Sequence, residues 1–139
     1  AGSLTGAKGT LPGLSIDTIS SFTDALQEFW TGEGEAELED FSYAAESYDA
    51  VILLALAALA ANSTDGADIA AKLQEVSGGS GDGKKATDFA SAAQIILDGG
   101  VVDYDGNSGP ITFDENGDPT EATIGIYEYS ADNTYKRIN

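Results

Sequence analysis

The spacing of apolar residues changes rhythm twice along the chain, from extended to helical and back to extended. Gly9-Thr-Leu-Pro-Gly-Leu14 reads as a short strand or edge segment broken by Pro12. Ile19, Phe22, Leu26, Phe29 and Trp30 then recur at helical spacing. They predict an amphipathic helix over 17–31, opened by Ser15 or Asp17 and stopped by Gly32. A second helix is predicted from about Ala44 to Ala61. Val51, Ile52, Leu53, Leu54, Leu56 and Leu59 cover most of its circumference and alanines fill the rest, so it has to be buried on several sides. A third helix spans 68–76, with Ile69, Leu73 and Val76 on one face and Gly78-Gly79 as terminator. Ser77 to Gly83 reads as a soluble glycine-rich link, which also takes in Lys84-Lys85. The fourth helix, near 87–97, is expected to bury Phe89, Ala92, Ala93, Ile96 and Leu97, and Gly99-Gly100 ends it.

From Val101 the period becomes that of strands. Ile111-Thr-Phe113 and 122–129 flank Asn116-Gly117, and Asn-Gly between strand-like runs predicts a hairpin because both turn positions need positive φ. A second turn at Asp132-Asn133 brings the chain back through 134–138. No internal repeat is present. The order of one strand, four helices and a C-terminal β-hairpin predicts part of an α/β layer structure. The longest apolar run, Ala50 to Ala61, has twelve residues. A membrane span needs about 20, so this is read as a core helix.

Composition narrows the chemistry. The 139 residues suit one domain, and 6 basic against 24 acidic side chains leave a net charge of −18. There is no Cys and no His. Disulfides, thiolate zinc sites, a cysteine nucleophile, a Ser-His-Asp triad and imidazole metal ligands are therefore excluded. Nucleic acid and anionic lipid are not expected partners, since phosphate binding needs a cationic face. The start at Ala-Gly-Ser-Leu, without Met, predicts a processed chain or a cut-out segment, and no signal peptide is present.

The sharpest local pattern is Asp103-Tyr-Asp105-Gly-Asn107-Ser-Gly109 with Asp114 beyond it. Asp103, Asp105, Asn107 and Asp114 occupy positions 1, 3, 5 and 12 of a calcium loop of the EF-hand kind. Ser108 replaces the turn glycine, and Asp114 replaces the bidentate Glu. The competing reading is a turn-rich connection in which Asp and Asn bond their own backbone. Glu33, Glu35, Glu37, Glu39 and Asp40 form an acidic loop, read as solvated charge. Ser77–Gly83 lacks the Gly-Lys-Ser/Thr ending of a phosphate loop. Tyr43 and Tyr48, where the acidic loop enters the second helix, read as packing staples unless that helix end faces a cleft.

Three stretches carry a family resemblance: Glu46-Ser-Tyr-Asp-Ala-Val-Ile-Leu-Leu-Ala55, the segment from Val102 through Gly-Pro-Ile-Thr-Phe-Asp-Glu-Asn-Gly-Asp-Pro119, and Ile126-Tyr-Glu-Tyr129. Together they resemble the C-terminal part of type I periplasmic binding proteins, nearest to the branched-chain amino-acid solute-binding proteins of ABC importers. Gly6-Ala-Lys-Gly-Thr-Leu-Pro12 fits the strand before a lobe crossover in that family. The resemblance runs over nearly the whole chain.

That resemblance alone implies a fold that is part of two Rossmann-like lobes, with more than half of the family protein preceding residue 1. By the same likeness, residues 1–14 would supply a second-lobe strand and crossover, 15–124 the C-terminal part of the first lobe, and 125–139 the return strands to the second lobe. The covering for the apolar helix at 44–61 would lie largely outside this chain. Function would be capture of an amino acid or similar small solute, without catalysis or cofactor, for delivery to an ABC permease. Tyr43, supported by Glu46, would contact the ligand, and its hydroxyl would make that site more polar than Phe would. Further partners implied by the resemblance are the missing N-terminal part of the same protein or a second copy. The implied location is periplasmic or extracellular, with a lipid anchor through the missing N-terminus as one option. The alternative reading is a calcium-stabilised structural or interaction domain built on the 103–114 loop.

Overall fold

The computed structural model describes residues 2–139 and has the mixed α/β character expected from the pattern. The chain forms two compact units. One gathers the described residues up to Tyr43 with Ala122–Asn139, and the other is Ala44–Glu121.

In the first unit, β1 (Lys8–Pro12) pairs antiparallel with a late strand, Ile124–Tyr129, in register from Lys8 opposite Glu128 to Pro12 opposite Ile124. The last strand, Tyr135–Arg137, pairs with the other edge of Ile124–Tyr129. The turn predicted at Asp132-Asn133 joins these two. Asn133 takes φ 66°, and the Asp132 carboxylate accepts from the Ser130 hydroxyl at 2.6 Å and the Thr134 hydroxyl at 2.7 Å. Those bonds bring its carboxyl down to about 2. Helix α1 (Ser20–Gly32) follows a 3-10 turn at Ile16–Ile19, so the predicted 17–31 helix starts tighter than an α-helix. Its apolar stripe is covered unevenly: Phe22 and Leu26 are half-buried, whereas Phe29 and Trp30 are exposed.

The second unit holds α2 (Ala44–Ala61), α3 (Gly66–Val76), β2 (Lys84–Ala86), α4 (Phe89–Leu97), β3 (Val102–Gly106) and β4 (Gly109–Pro110). The strands already described at Ile124–Tyr129 and Tyr135–Arg137 are β5 and β6. β2 and β3 run parallel, with Ala86 opposite Tyr104, and α4 is the crossover between them. β4 folds back antiparallel on β3. Asp65 caps α3 by accepting the Ala67 N–H at 2.9 Å, and Asp88 caps α4 by accepting the Ser91 N–H at 2.9 Å. The core is a single cluster of Leu53, Leu56, Ala57, Val76, Ala86, Ala92, Val102 and Tyr104. By length and composition alone α2 would suffice to cross a membrane. Within this unit it packs on α3, α4 and β3.

Four expectations need correction. Lys84-Lys85 is not in a link but forms β2, because its N–H groups find the parallel edge of β3. The 77–83 stretch is packed rather than loose: Ser77 is fully buried, and its hydroxyl accepts the Phe113 N–H at 3.0 Å. A Cβ on Gly79 would collide with the Phe113 carbonyl oxygen, and one on Gly83 with Asp103. The hairpin around Asn116-Gly117 shrinks to one bridge, Phe113 to Pro119, because the Asp114 carboxylate closes the turn on itself and β5 pairs with β1 instead. Phe89 and Leu97, expected inside, are exposed, the latter by 67%. On α2, Val51 and Leu54 are likewise exposed.

Packing of the glycine stretch can be measured. Gly79→Ala is expected to lower unfolding free energy by about 2–3 kcal/mol through overpacking. Gly81→Ala meets no atom but sits at φ 83°, and is expected to cost about 1 kcal/mol of backbone strain. Urea melts of the two variants would be equal and near wild type if the stretch were a free linker.

Candidate functional site

The start of α2 carries the residues singled out from the sequence. Tyr43, the residue before the helix, holds φ at 62°. That left-handed conformation costs a side chain with a Cβ about 1–2 kcal/mol, and it persists only where the surroundings impose it. The Tyr43 ring is 52% exposed. Glu46 lies half-buried in the first turn, where its charge complements the positive end of the helix dipole. Neither the Tyr43 hydroxyl nor the Glu46 carboxylate is hydrogen-bonded or ion-paired among the described residues. Both polar groups are thus available to a ligand.

One turn further on, Asp49 is buried at 1% exposure. Its carboxylate accepts four hydrogen bonds. Oδ1 takes the Tyr104 hydroxyl at 3.0 Å and the Asn107 N–H at 3.1 Å; Oδ2 takes the Ser108 N–H and the Ser108 hydroxyl, each at 2.6 Å. Asp49 therefore acts as an N–H acceptor for the two-residue turn between β3 and β4. A Cβ on Gly106 would fall on the Asp49 carboxylate, so glycine there is a steric requirement. Burial, and then the Asp49 charge, push the Tyr104 phenol far above its ordinary range. Asp49 was not singled out from the sequence. The available signal was that it is the only charge between Ser47 and Ala61, at the head of a twelve-residue apolar run.

The four residues of the calcium reading are placed as follows. Asp103 and Asp105 lie on β3 and share Lys85 from β2, at 2.9 and 2.6 Å. These bonds, Asp105 first, hold the Lys85 ammonium above the usual lysine range. The second oxygen of each carboxylate is buried with no partner among the described residues. Asn107 gives its backbone N–H to Asp49. Asp114 accepts the Asn116 and Asp118 N–H groups at 2.8 and 3.0 Å, which lowers its own carboxyl. The structure thus brings Asp103 and Asp105 together across a lysine, ties the Asn107 backbone to Asp49 and engages the Asp114 carboxylate in its own turn. Among the described residues no three acidic side chains converge on a point that could hold a metal ion.

The Asp49 hub is testable by stability. Asp49→Ala is expected to lower unfolding free energy by about 3 kcal/mol or more, since four donors lose their acceptor. Tyr104→Phe is expected to cost about 1.5–3 kcal/mol. Above a pH of about 10 an unfolded Tyr104 loses its proton while the folded one keeps it, so stability falls as pH rises. Lys85 adds a weaker slope of the same sign, because its raised pKa makes the folded state hold its proton longer. Chemical denaturation at alkaline pH is expected to show that decline in the wild type and most of it removed in Tyr104→Phe.

With this geometry in place, comparison with known proteins adds one match. The model of the family described as receptor family ligand binding region matches residues 13–132. No curated protein and no solved structure matches the chain. The matched region includes α1 to α4, the Asp49 hub and all of β5, in an α/β build of the type I periplasmic-binding kind with a C-terminal strand pair. The chain belongs to the family of receptor ligand-binding regions.

Proposed function

We propose that this chain is part of an extracytoplasmic solute-binding protein that captures an amino acid or a similar small solute for an ABC importer. Membership of a ligand-binding family supports binding as the activity, and the reading assigns the chain no catalysis. The amino-acid class, the importer and the location rest on the resemblance of the 46–55, 102–119 and 126–129 stretches. The missing N-terminal part of the same protein, or a second copy, belongs to the same proposal as a partner.

The observation that carries the site is Tyr43. A bulky aromatic kept at φ 62°, half-exposed and with no hydrogen bond from its hydroxyl among the described residues, is a costly residue at a helix entrance, where glycine or asparagine would take the same conformation more cheaply. In this reading its ring contacts the ligand side chain, and Glu46 supports the ligand's polar groups from the first turn of α2. The ligand stabilises whichever state it contacts best, by its preferential contacts there.

Titration calorimetry with a panel of amino acids, amides and aromatic acids tests this. Binding of at least one class is expected, and Tyr43→Ala is expected to weaken it about tenfold or more, or about 1.4 kcal/mol. Tyr43→Gly is expected to lose the same affinity while leaving thermal stability unchanged or slightly higher, because glycine tolerates positive φ. Wild-type affinity in both variants would overturn the site. Absence of binding across the panel would overturn the solute class.

A further inference from the structure

The turn between α2 and α3 reads Asn62-Ser63-Thr64, an Asn-X-Thr triplet with a residue other than proline in the middle. Its three side chains are arranged unequally. Asn62 is exposed and holds φ 48°, its backbone N–H bonded to the Leu59 carbonyl at 3.1 Å, and its carboxamide makes no hydrogen bond among the described residues. The Ser63 hydroxyl is engaged: it donates to Asp68 Oδ2 at 2.7 Å and accepts the Asp65 N–H at 3.1 Å. Thr64 is exposed, and its hydroxyl also makes no hydrogen bond among the described residues.

A left-handed Asn after a helix is explained by capping alone. That explanation does not reach Thr64, because the cap of α3 is the Asp65 carboxylate and needs no hydroxyl one residue earlier. The free carboxamide and the free threonine hydroxyl two residues on are the two groups that asparagine-linked glycosylation recognises. Both belong to a surface turn, where a bulky polar group can be added without entering the core.

We propose that Asn62 is an acceptor for asparagine-linked glycosylation. The donor is a lipid-linked oligosaccharide. A bond forms between Asn62 Nδ2 and the sugar C1 while the bond from C1 to the lipid phosphate oxygen breaks. The lipid phosphate leaves with the electron pair, and Nδ2 releases one proton. The modification in the native setting rests on the extracytoplasmic location proposed above. Glu46 and Asn62 are sixteen residues apart along α2 and its end, or about 24 Å at helical rise, so a glycan here leaves the proposed ligand end of α2 clear.

The chain can be sent through the secretory pathway of a glycosylating host behind an appended leader, with a C-terminal acceptor tag of known competence as control. Intact mass before and after glycosidase digestion is the readout. One glycan beyond the tag is expected on the wild type and on Ser63→Ala. None beyond the tag is expected on Asn62→Gly, which keeps the left-handed turn, or on Thr64→Ala. A modified tag beside a bare Asn62, or a glycan retained in Thr64→Ala, would overturn the proposal. Since the host supplies the location, a bare Asn62 counts against the acceptor and not against the proposed location, which fractionation of the source cells tests separately.

Discussion

A carboxylate as deeply buried as Asp49 is costly unless donors meet its oxygens, and in the second unit both of its oxygens are met. It sits in a helix whose other inward residues are apolar, Leu53, Leu56 and Ala57. Apolar contacts alone are non-directional, and a helix apolar on all sides has no preferred rotation about its axis. The four bonds to Tyr104, Asn107 and Ser108 select one rotation, since any other forfeits all four of them and leaves the buried turn donors without their acceptor. With the rotation set, Leu53 and Leu56 face the core while Tyr48, Val51 and Leu54 face outward. The position of Glu46, one turn upstream, is set by the same anchor.

The acidity of the chain looks different once the turns are seen. Several carboxylates serve as local acceptors for backbone N–H groups: Asp40 for Ser42, Asp65 for Ala67, Asp88 for Ser91, Asp114 for Asn116 and Asp118, and Asp132 for Thr134. Asp40, Asp88, Asp114 and Asp132 are held below the ordinary carboxylate range mainly by these and the accompanying hydroxyl bonds. Depressed values mean that the folded chain favours the ionised form, so their contribution is present near neutrality and fades as pH falls through them. Part of the negative charge is thus turn chemistry. Lys85 serves another part, neutralising the facing carboxylates Asp103 and Asp105 between two parallel strands.

The family match and the site geometry bear on different levels of function. The match assigns a ligand-binding region and spans both compact units. The geometry shows Tyr43 strained and Glu46 free at the start of α2, next to a helix anchored by Asp49. A rigid element carrying free polar groups is a suitable support for recognition, since preorganisation lowers the ordering cost of binding.

Local order was legible in the residues themselves. The bounds of α2, the ends of α3 and α4 and the Asp132-Asn133 turn all follow from periodicity, glycine stops and side chains that bond within a few residues, whereas α3 begins two residues before the periodicity indicated, at Gly66 behind its Asp65 cap. The Tyr43 and Glu46 assignment came from family resemblance, because periodicity says nothing about which exposed side chain meets a ligand. Tertiary structure decided everything that depends on distant partners. β5 chose β1, more than a hundred residues earlier, over the nearer Ile111–Phe113, and no local turn signal encodes that choice. Lys84-Lys85 became a strand because β3 offered an edge, and the glycines at 79 and 83 became close contacts because Phe113 and Asp103 arrived beside them. Asp49 shows the division most clearly. Its isolation at the head of an apolar run was written in the sequence, but its donors come from more than fifty residues downstream and exist only once the chain has folded.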